Sequence, residues 1–493
     1  MNFKKLFSKY RFLYLLALGY YLSRLTIPPL LAQTQGTTVT FTGEVTPTVL
    51  EEQRPTLTST LVGQTDRRFS QEFMDYLAVI PKNNLTPLDL PPLLTEINRE
   101  TGTQSAIIYV YLQPMGRDVL QEATQAGPLD SLSGGVLPPN RNPQASDQLV
   151  LIVATADGLF TPISVPNVTR RDLLALQQQF QRNLTNISPS EVFLPQATTF
   201  YDWLIRPLQE LLNKQKINHL SFIVDTGLRS LPLAALYDAK TGKYLVQQFS
   251  VGMMPSLSLT NITRNPSKNT KVLAMGADTF TQQKPLPAVP LELQEIGKNL
   301  WPGSIYLNQA FTVANFRQAI SSREYGFVHL ATHGEFQSGD RNNSFVVFSD
   351  QNLKLDQFAN SGLDQPIDLL TLSACRTALG DPQAELGFAG VAVKTGVRTA
   401  IGSLWQVSDE GTFALMTNFY ESLKRSPIKA MALQQAQKAF IEKTVKLKDN
   451  QLQLGQRALS VQQFPPDLRE ALGKKDLTHP YYWSAFTLIG NPW

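Results

Sequence analysis

The chain has 493 residues, room for two to four structural units or one large composite domain. With 42% hydrophobic and 17% charged residues it can bury a sizeable core, which excludes a disordered chain. Its 44 basic and 40 acidic side chains leave a formal charge of +4, and no dense Lys/Arg block follows the N-terminus, so no nucleic-acid partner is expected.

The first 32 residues read as a targeting segment. Lys4, Lys5, Lys9 and Arg11 form a basic region ahead of the apolar run Phe12 to Leu22, which suits a signal sequence better than a bilayer span. Small residues near Ala32 offer a cleavage site, although Leu30 and Arg24 fit the pattern poorly. Export to the periplasm or exterior is the favoured reading. An uncleaved membrane anchor and a buried helix are the alternatives. Residues 33–100 read as a linker, rich in Thr, Gln, Pro and Val up to about 70, followed by a short helical arm. No helical repeat is visible.

From residue 104 β-rich runs alternate with amphipathic helices. Strands are expected at SAIIYVYL (105–112), QLVLIVAT (148–155), HLSFIVD (219–225), KVLAMGA (271–277), Ile305–Leu307, GFVHLAT (326–332), DLLTLSA (368–374), AIGSLW (400–405) and WSAFTLIG (483–490). Helices are expected at 172–184, 199–214, 291–300, 312–320, 388–397, 409–425 and from 432 onward, with a hairpin at SFVVFSDQNLKL. Strand alternating with helix predicts an α/β fold with a mostly parallel central sheet flanked by helices. In such sheets functional groups gather at the carboxyl ends of strands. That rule selects Asp225, then Thr332-His333-Gly334, then Ser373-Ala374-Cys375-Arg376.

Cys375 is the single cysteine, so an internal disulfide and a cysteine-rich zinc site are both excluded. Taken alone, a lone cysteine is usually a small buried hydrophobe. Here it follows one buried strand while His333 follows another, and a thiol with a nearby imidazole is a nucleophile at neutral pH. Gly334 lets the backbone turn closely, and its amide and that of Cys375 can face an oxyanion. His329 and His333 are four apart, but on a strand that is not zinc spacing, so His329 reads as a core residue. His219 and His479 read as structural. No phosphate-binding glycine loop and no G-x-S-x-G elbow occurs, and neither a metal nor a cofactor is implied.

HLATHGEF (329–336) and LLTLSACRTALG (369–380) resemble the two signature segments of the CHAT family, caspase-like domains related to separase and caspases. LRSLPLAALYD (228–238), GVRTAIGSLWQVSDE (396–410), ALQQAQ (432–437) and HPYYWSAFTLIG (479–490) resemble further family segments, so the likeness runs from about residue 100 onward. The chain looks like the cyanobacterial type, without a TPR array. The resemblance implies a caspase–hemoglobinase α/β sandwich, with a degenerate companion half over 101–215 and a catalytic half over 216–493. It implies a cysteine endopeptidase in which His333 is the general base or imidazolium partner, Cys375 the nucleophile, and Gly334 and Cys375 the oxyanion-hole amides. Its partners would be a protein or peptide substrate and a regulatory protein. Asp225, Asp381 and Glu385 are the candidate acidic walls of a substrate pocket, which would favour Arg or Lys. A catalytically silent scaffold and a thiol acyltransferase are the alternative functions.

Overall fold

The computed structural model describes residues 31–34, 37–40, 47–114, 143–160, 162–187, 191–263, 270–337, 343–363, 367–377, 382–454, 457–474 and 476–493. The basic and apolar segment at 1–30 lies outside them. Among the described residues no helix is long and apolar enough to cross a membrane. The chain divides into two compact units, residues 1–58 and 59–493. In the first, Leu31–Thr34 and Thr37–Thr40 pair as an antiparallel hairpin.

Fourteen described strands of the second unit form one sheet, and ten of them position the site. In chain order these are β1 (Ser105–Gln113), β2 (Gln148–Thr155), β3 (His219–Val224), β4 (Ser250–Met253), β5 (Lys271–Gly276), β6 (Gly303–Leu307), β7 (Tyr325–Phe336), β8 (Leu369–Thr377), β9 (Thr399–Ser403) and β10 (Phe486–Gly490). Their spatial order is β6-β5-β7-β8-β9-β10-β4-β3-β1-β2. Strands β6, β5, β7, β8 and β9 form one parallel block. Strands β10, β4, β3 and β1 form another. The blocks meet where β9 pairs antiparallel with β10, Thr399 opposite Gly490 and Ser403 opposite Phe486. The expected mostly parallel sheet is present, but the carboxyl ends of its two blocks face opposite edges. A boundary at 215/216 falls inside one block, because β3 pairs in parallel with β1.

The strands form where near-continuous apolar runs can be covered on both faces. Ala106 to Leu112, Leu149 to Ala154, and Val272 to Met275 are all buried. Within β3, buried His219 lies between the hydroxyls of Ser250 and Ser221, each 2.9 Å from a ring nitrogen. His479 caps a short helix by accepting from the Tyr481 amide at 3.1 Å. Both are structural, as their sequence settings imply.

Three departures have identifiable causes. Most of the expected linker is helical: α1 runs Pro47–Leu77. Its Thr-rich middle hides the period, but Val62, Phe69, Phe73 and Leu77 recur at helical spacing and are all buried. The expected helix at 199–214 breaks into Leu194–Leu204 and Gln209–Lys214, with Pro207 between them, where it cannot donate to the helix ladder. Strand β4 (SVGM) is four residues with no hydrophobic run and owes its place to its neighbours on both sides.

Candidate active site

His333 lies near the carboxyl end of β7, which runs further than expected and takes in His333, Gly334, Glu335 and Phe336. The extension is polar. It is held by Phe345–Val347, which pairs antiparallel with Gly334 and Glu335, and by β8 on the other side. Strand β8 likewise extends through Cys375 to Thr377. The register between the two strands places His333 opposite Ala374 and Gly334 opposite Cys375. It shifts between Leu330 and His333, an irregularity of the kind that re-aims a side chain next to a site. Thr332 Oγ1 donates to the Val347 carbonyl at 2.6 Å across the irregular stretch. The side chains of 374–383 lie outside the description, so what is established for Cys375 is the place of its backbone, one step along β8 from the residue facing His333.

The segment after β5 holds the imidazole. His333 Nε2 is 2.8 Å from the Lys284 carbonyl oxygen, which can only accept, so Nε2 carries the proton and Nδ1 is left as the basic nitrogen. Pro285 follows Lys284 and disfavours helix there, which keeps the Lys284 carbonyl out of a helix ladder. The Phe280 ring meets His333 edge-on at a centroid distance of 4.7 Å. Burial lowers the His333 pKa from its ordinary value, against smaller opposing effects from the Lys284 bond and the Glu335 charge. The ring is therefore neutral near pH 7. Leu286 and Val289 pin the segment to the core beside Ala274 and Ala331, and the Ala288 amide donates to Asp409 Oδ2 at 2.6 Å. Sequence reasoning missed Phe280, Lys284 and Asp409. A backbone carbonyl leaves no side-chain signal, and only the run KPLPAVP marks an extended segment.

Asp225, a candidate acidic pocket wall, is engaged by two arginines and two backbone amides. It directly follows β3, so it lies at the sheet edge opposite to the ends of β7 and β8. Its Oδ2 accepts from Arg68 Nη2 at 2.7 Å and from the Leu112 amide at 2.9 Å. Its Oδ1 accepts from Arg170 Nη2 at 3.1 Å and from the Thr226 amide at 2.8 Å. Burial would raise its pKa, but Arg68 and Arg170 hold it below the usual carboxylate range. Glu385 is buried in α4 (Pro382–Ala389), where it accepts from the Ser230 hydroxyl. Burial raises its pKa. The Gln177 amide nitrogen, on α2 (Arg170–Thr185), donates to the Ser230 hydroxyl at 2.9 Å, so this carboxyl is part of a packed interface. Asp381 lies outside the described residues. His329 is a core residue as expected: buried, with Nε2 2.8 Å from buried Glu292.

An α/β sheet with histidine and cysteine at adjoining carboxyl strand ends is the frame on which a thiol–imidazole pair can work. The chain belongs to the CHAT domain family, whose model matches residues 194–491. That match begins well after residue 100, from which the sequence likeness was expected to run. No curated protein matches the chain. Among solved structures it is similar to the separase of the Saccharomyces cerevisiae separase–securin complex, in crystal structures at 2.6 and 3.0 Å. In each case the identity is 10% and the TM-score 0.43, over 89% of this chain and 34% of the other. The chain thus spans about a third of the length of that neighbour.

Proposed function

We propose that the chain is a caspase-like cysteine endopeptidase working through His333 and Cys375. The observation that carries this reading is the register of β7 on β8, with His333 one step from Cys375 and its Nε2–H committed to Lys284. In the first step the thiol proton passes to His333 Nδ1 and the sulfur attacks the peptide carbonyl carbon. The amides of Gly334 and Cys375, on adjacent strands, are the donors assigned to the oxyanion. Collapse breaks the C–N bond, and the amine leaves with the proton returned from Nδ1. Water, deprotonated by the same nitrogen, then hydrolyses the thioester. A neutral imidazole at pH 7 supports the general-base role over a resting imidazolium.

N-terminal profiling of a proteome digest tests the proposal. Wild type is expected to create new N-termini, and Cys375→Ala to lose them by at least a hundredfold. Equal cleavage by the two would refute it. Transfer of the acyl group to an added amine in preference to water would favour the acyltransferase reading.

A further inference from the structure

The segment that holds His333 also lines an open groove of about 290 Å³. It is lined by Pro285, Pro287, Pro290 and Leu291, by Asp278 and Thr279, and by Pro465 from a distant part of the chain. These residues bracket the imidazole contacts: Thr279 precedes Phe280, and Pro285 follows Lys284, the two residues that touch His333. The groove and the histidine clamp therefore share the segment 278–291. The segment is fixed at several points. The Leu286 amide donates to the Asp278 carbonyl at 2.8 Å, the Asp278 amide donates to Asn308 Oδ1 at 3.0 Å, and Ala288 is held by Asp409. Leu286 and Val289 sit in the core against Ala331, two residues before His333. A groove so anchored exists before any ligand arrives and costs little ordering on binding.

We infer that this groove is the subsite that receives an apolar side chain from the leaving-group side of the scissile bond. The inference rests on the peptidase reading above and adds to it which side of the cut is selected and for what. Strand order fixes the side. The groove follows β5, which lies on the flank of β7 away from β8. In the dyad reaction the acyl carbon stays with Cys375 on β8 and the amine departs with the proton from His333. Substrate residues after the cut therefore extend past the imidazole, toward β5 and the groove. Wall chemistry fixes the class. Proline has no amide hydrogen, so four prolines and a leucine offer a stiff apolar lining with few donors to satisfy. Asp278 in the lining repels an acidic side chain. Phenylalanine or leucine fits this lining, glycine leaves it empty, and aspartate is rejected.

The test uses the full chain and a peptide library randomised on the acyl side, carrying Phe, Gly or Asp at the first or second position after the cut. A matching library of peptidyl aminomethylcoumarins has no amino acid on the leaving-group side and reads the dyad alone. Wild type is expected to prefer Phe over Gly by roughly tenfold at one of the two positions, and to disfavour Asp further. In Leu291→Asp the Phe-to-Gly ratio of kcat/KM should fall toward one. The ratio is taken within each enzyme, so partial loss of folded protein cancels. Cleavage of the coumarin amides with a flat wild-type ratio, or an unchanged ratio in Leu291→Asp, overturns the groove and leaves the peptidase standing. Failure to cleave either library overturns the peptidase reading, and the subsite with it.

Discussion

Replacing Asp225 by asparagine separates a structural carboxylate from a substrate-reading one. Asp225 is 1% exposed, and the Arg170 side chain opposite it is 8% exposed, so this pair has little water to screen it. Neutralising one member of a buried pair leaves the other charge uncompensated, at a cost of about 3–5 kcal/mol. The Arg68 side chain is 37% exposed, so its bond adds at most about 1 kcal/mol. Asparagine keeps one acceptor for the Leu112 amide, which brings the expected loss to about 3 kcal/mol. The arginines depress the Asp225 pKa, so its contribution is present above the ordinary aspartate range and is lost as pH falls through the folded value. The gap between wild type and Asp225→Asn should therefore be full at pH 7, begin to narrow only below about pH 4, and close as pH falls through the depressed folded value. Urea unfolding followed by tryptophan fluorescence at pH 7 and in steps from pH 4 downward reads both. The preference for the residue before the cut should be unchanged. A variant as stable as wild type at pH 7 but with an altered preference there would refute the structural assignment.

Three further outcomes follow from the site. Because burial lowers the His333 pKa, the base stays available below the usual histidine range, and the acid limb of kcat/KM should lie under pH 6.5; a limb above pH 7 would contradict it. Asp409 is pushed up to about 7 by burial, with Glu292 and Glu410 nearby, so the fold favours its neutral form and pays increasingly as pH rises from the ordinary value through about 7. Asp409→Asn keeps the acceptor for Ala288 and should stabilise by about 2 kcal/mol at pH 8, after discounting for partial exposure, and by almost nothing at pH 4; equal effects at both would count against the buried charge. A methyl group at Gly276 would be driven into the Ala331 carbonyl on the neighbouring strand, which cannot yield without shifting β7. Gly276→Ala should cost about 3 kcal/mol by overpacking, and a melting temperature within a degree of wild type would argue against it.

The sequence made some of this legible and hid the rest for physical reasons. Runs such as IIYVYL, LVLIVAT and LSFIV announce themselves because both faces are buried and the apolar signal is continuous. The identities of His333 and Cys375 were equally plain, since each follows such a run. The extent of their strands was not, because Gly334 and Glu335 are held extended by pairing with the 345–347 hairpin, a tertiary contact with no local code. Asp225 met the same strand-end rule as His333 yet lies at the other edge. Strand direction is set by which strands become neighbours, and β9 and β10 are separated by a long stretch of chain. The Lys284 carbonyl and the proline groove were invisible for a simpler reason: one is backbone, and the other is assembled partly from Pro465, far along the sequence.

Strand β10 decides how the two parallel blocks become one sheet. It is the only strand among those described that pairs both with β9 of one block and with β4 of the other. Nearby residues reinforce the seam: the Trp493 indole Nε1 donates to Ser105 Oγ at 3.2 Å on the β1 side, and Lys429 Nζ lies 3.2 Å from Asp368 Oδ1 just before β8. Without β10, β9 and β4 would each present an unpaired edge. The blocks are therefore interdependent, sharing one sheet within residues 59–493. Opposed strand directions also mean that β10, β4, β3 and β1 turn their amino ends, and none of their carboxyl ends, to the His333 edge. Their contribution to that edge must come through side packing, as where Ser230 meets Glu385 on the helix that follows Cys375. The block of β10, β4, β3 and β1 supplies none of the groups assigned to the reaction.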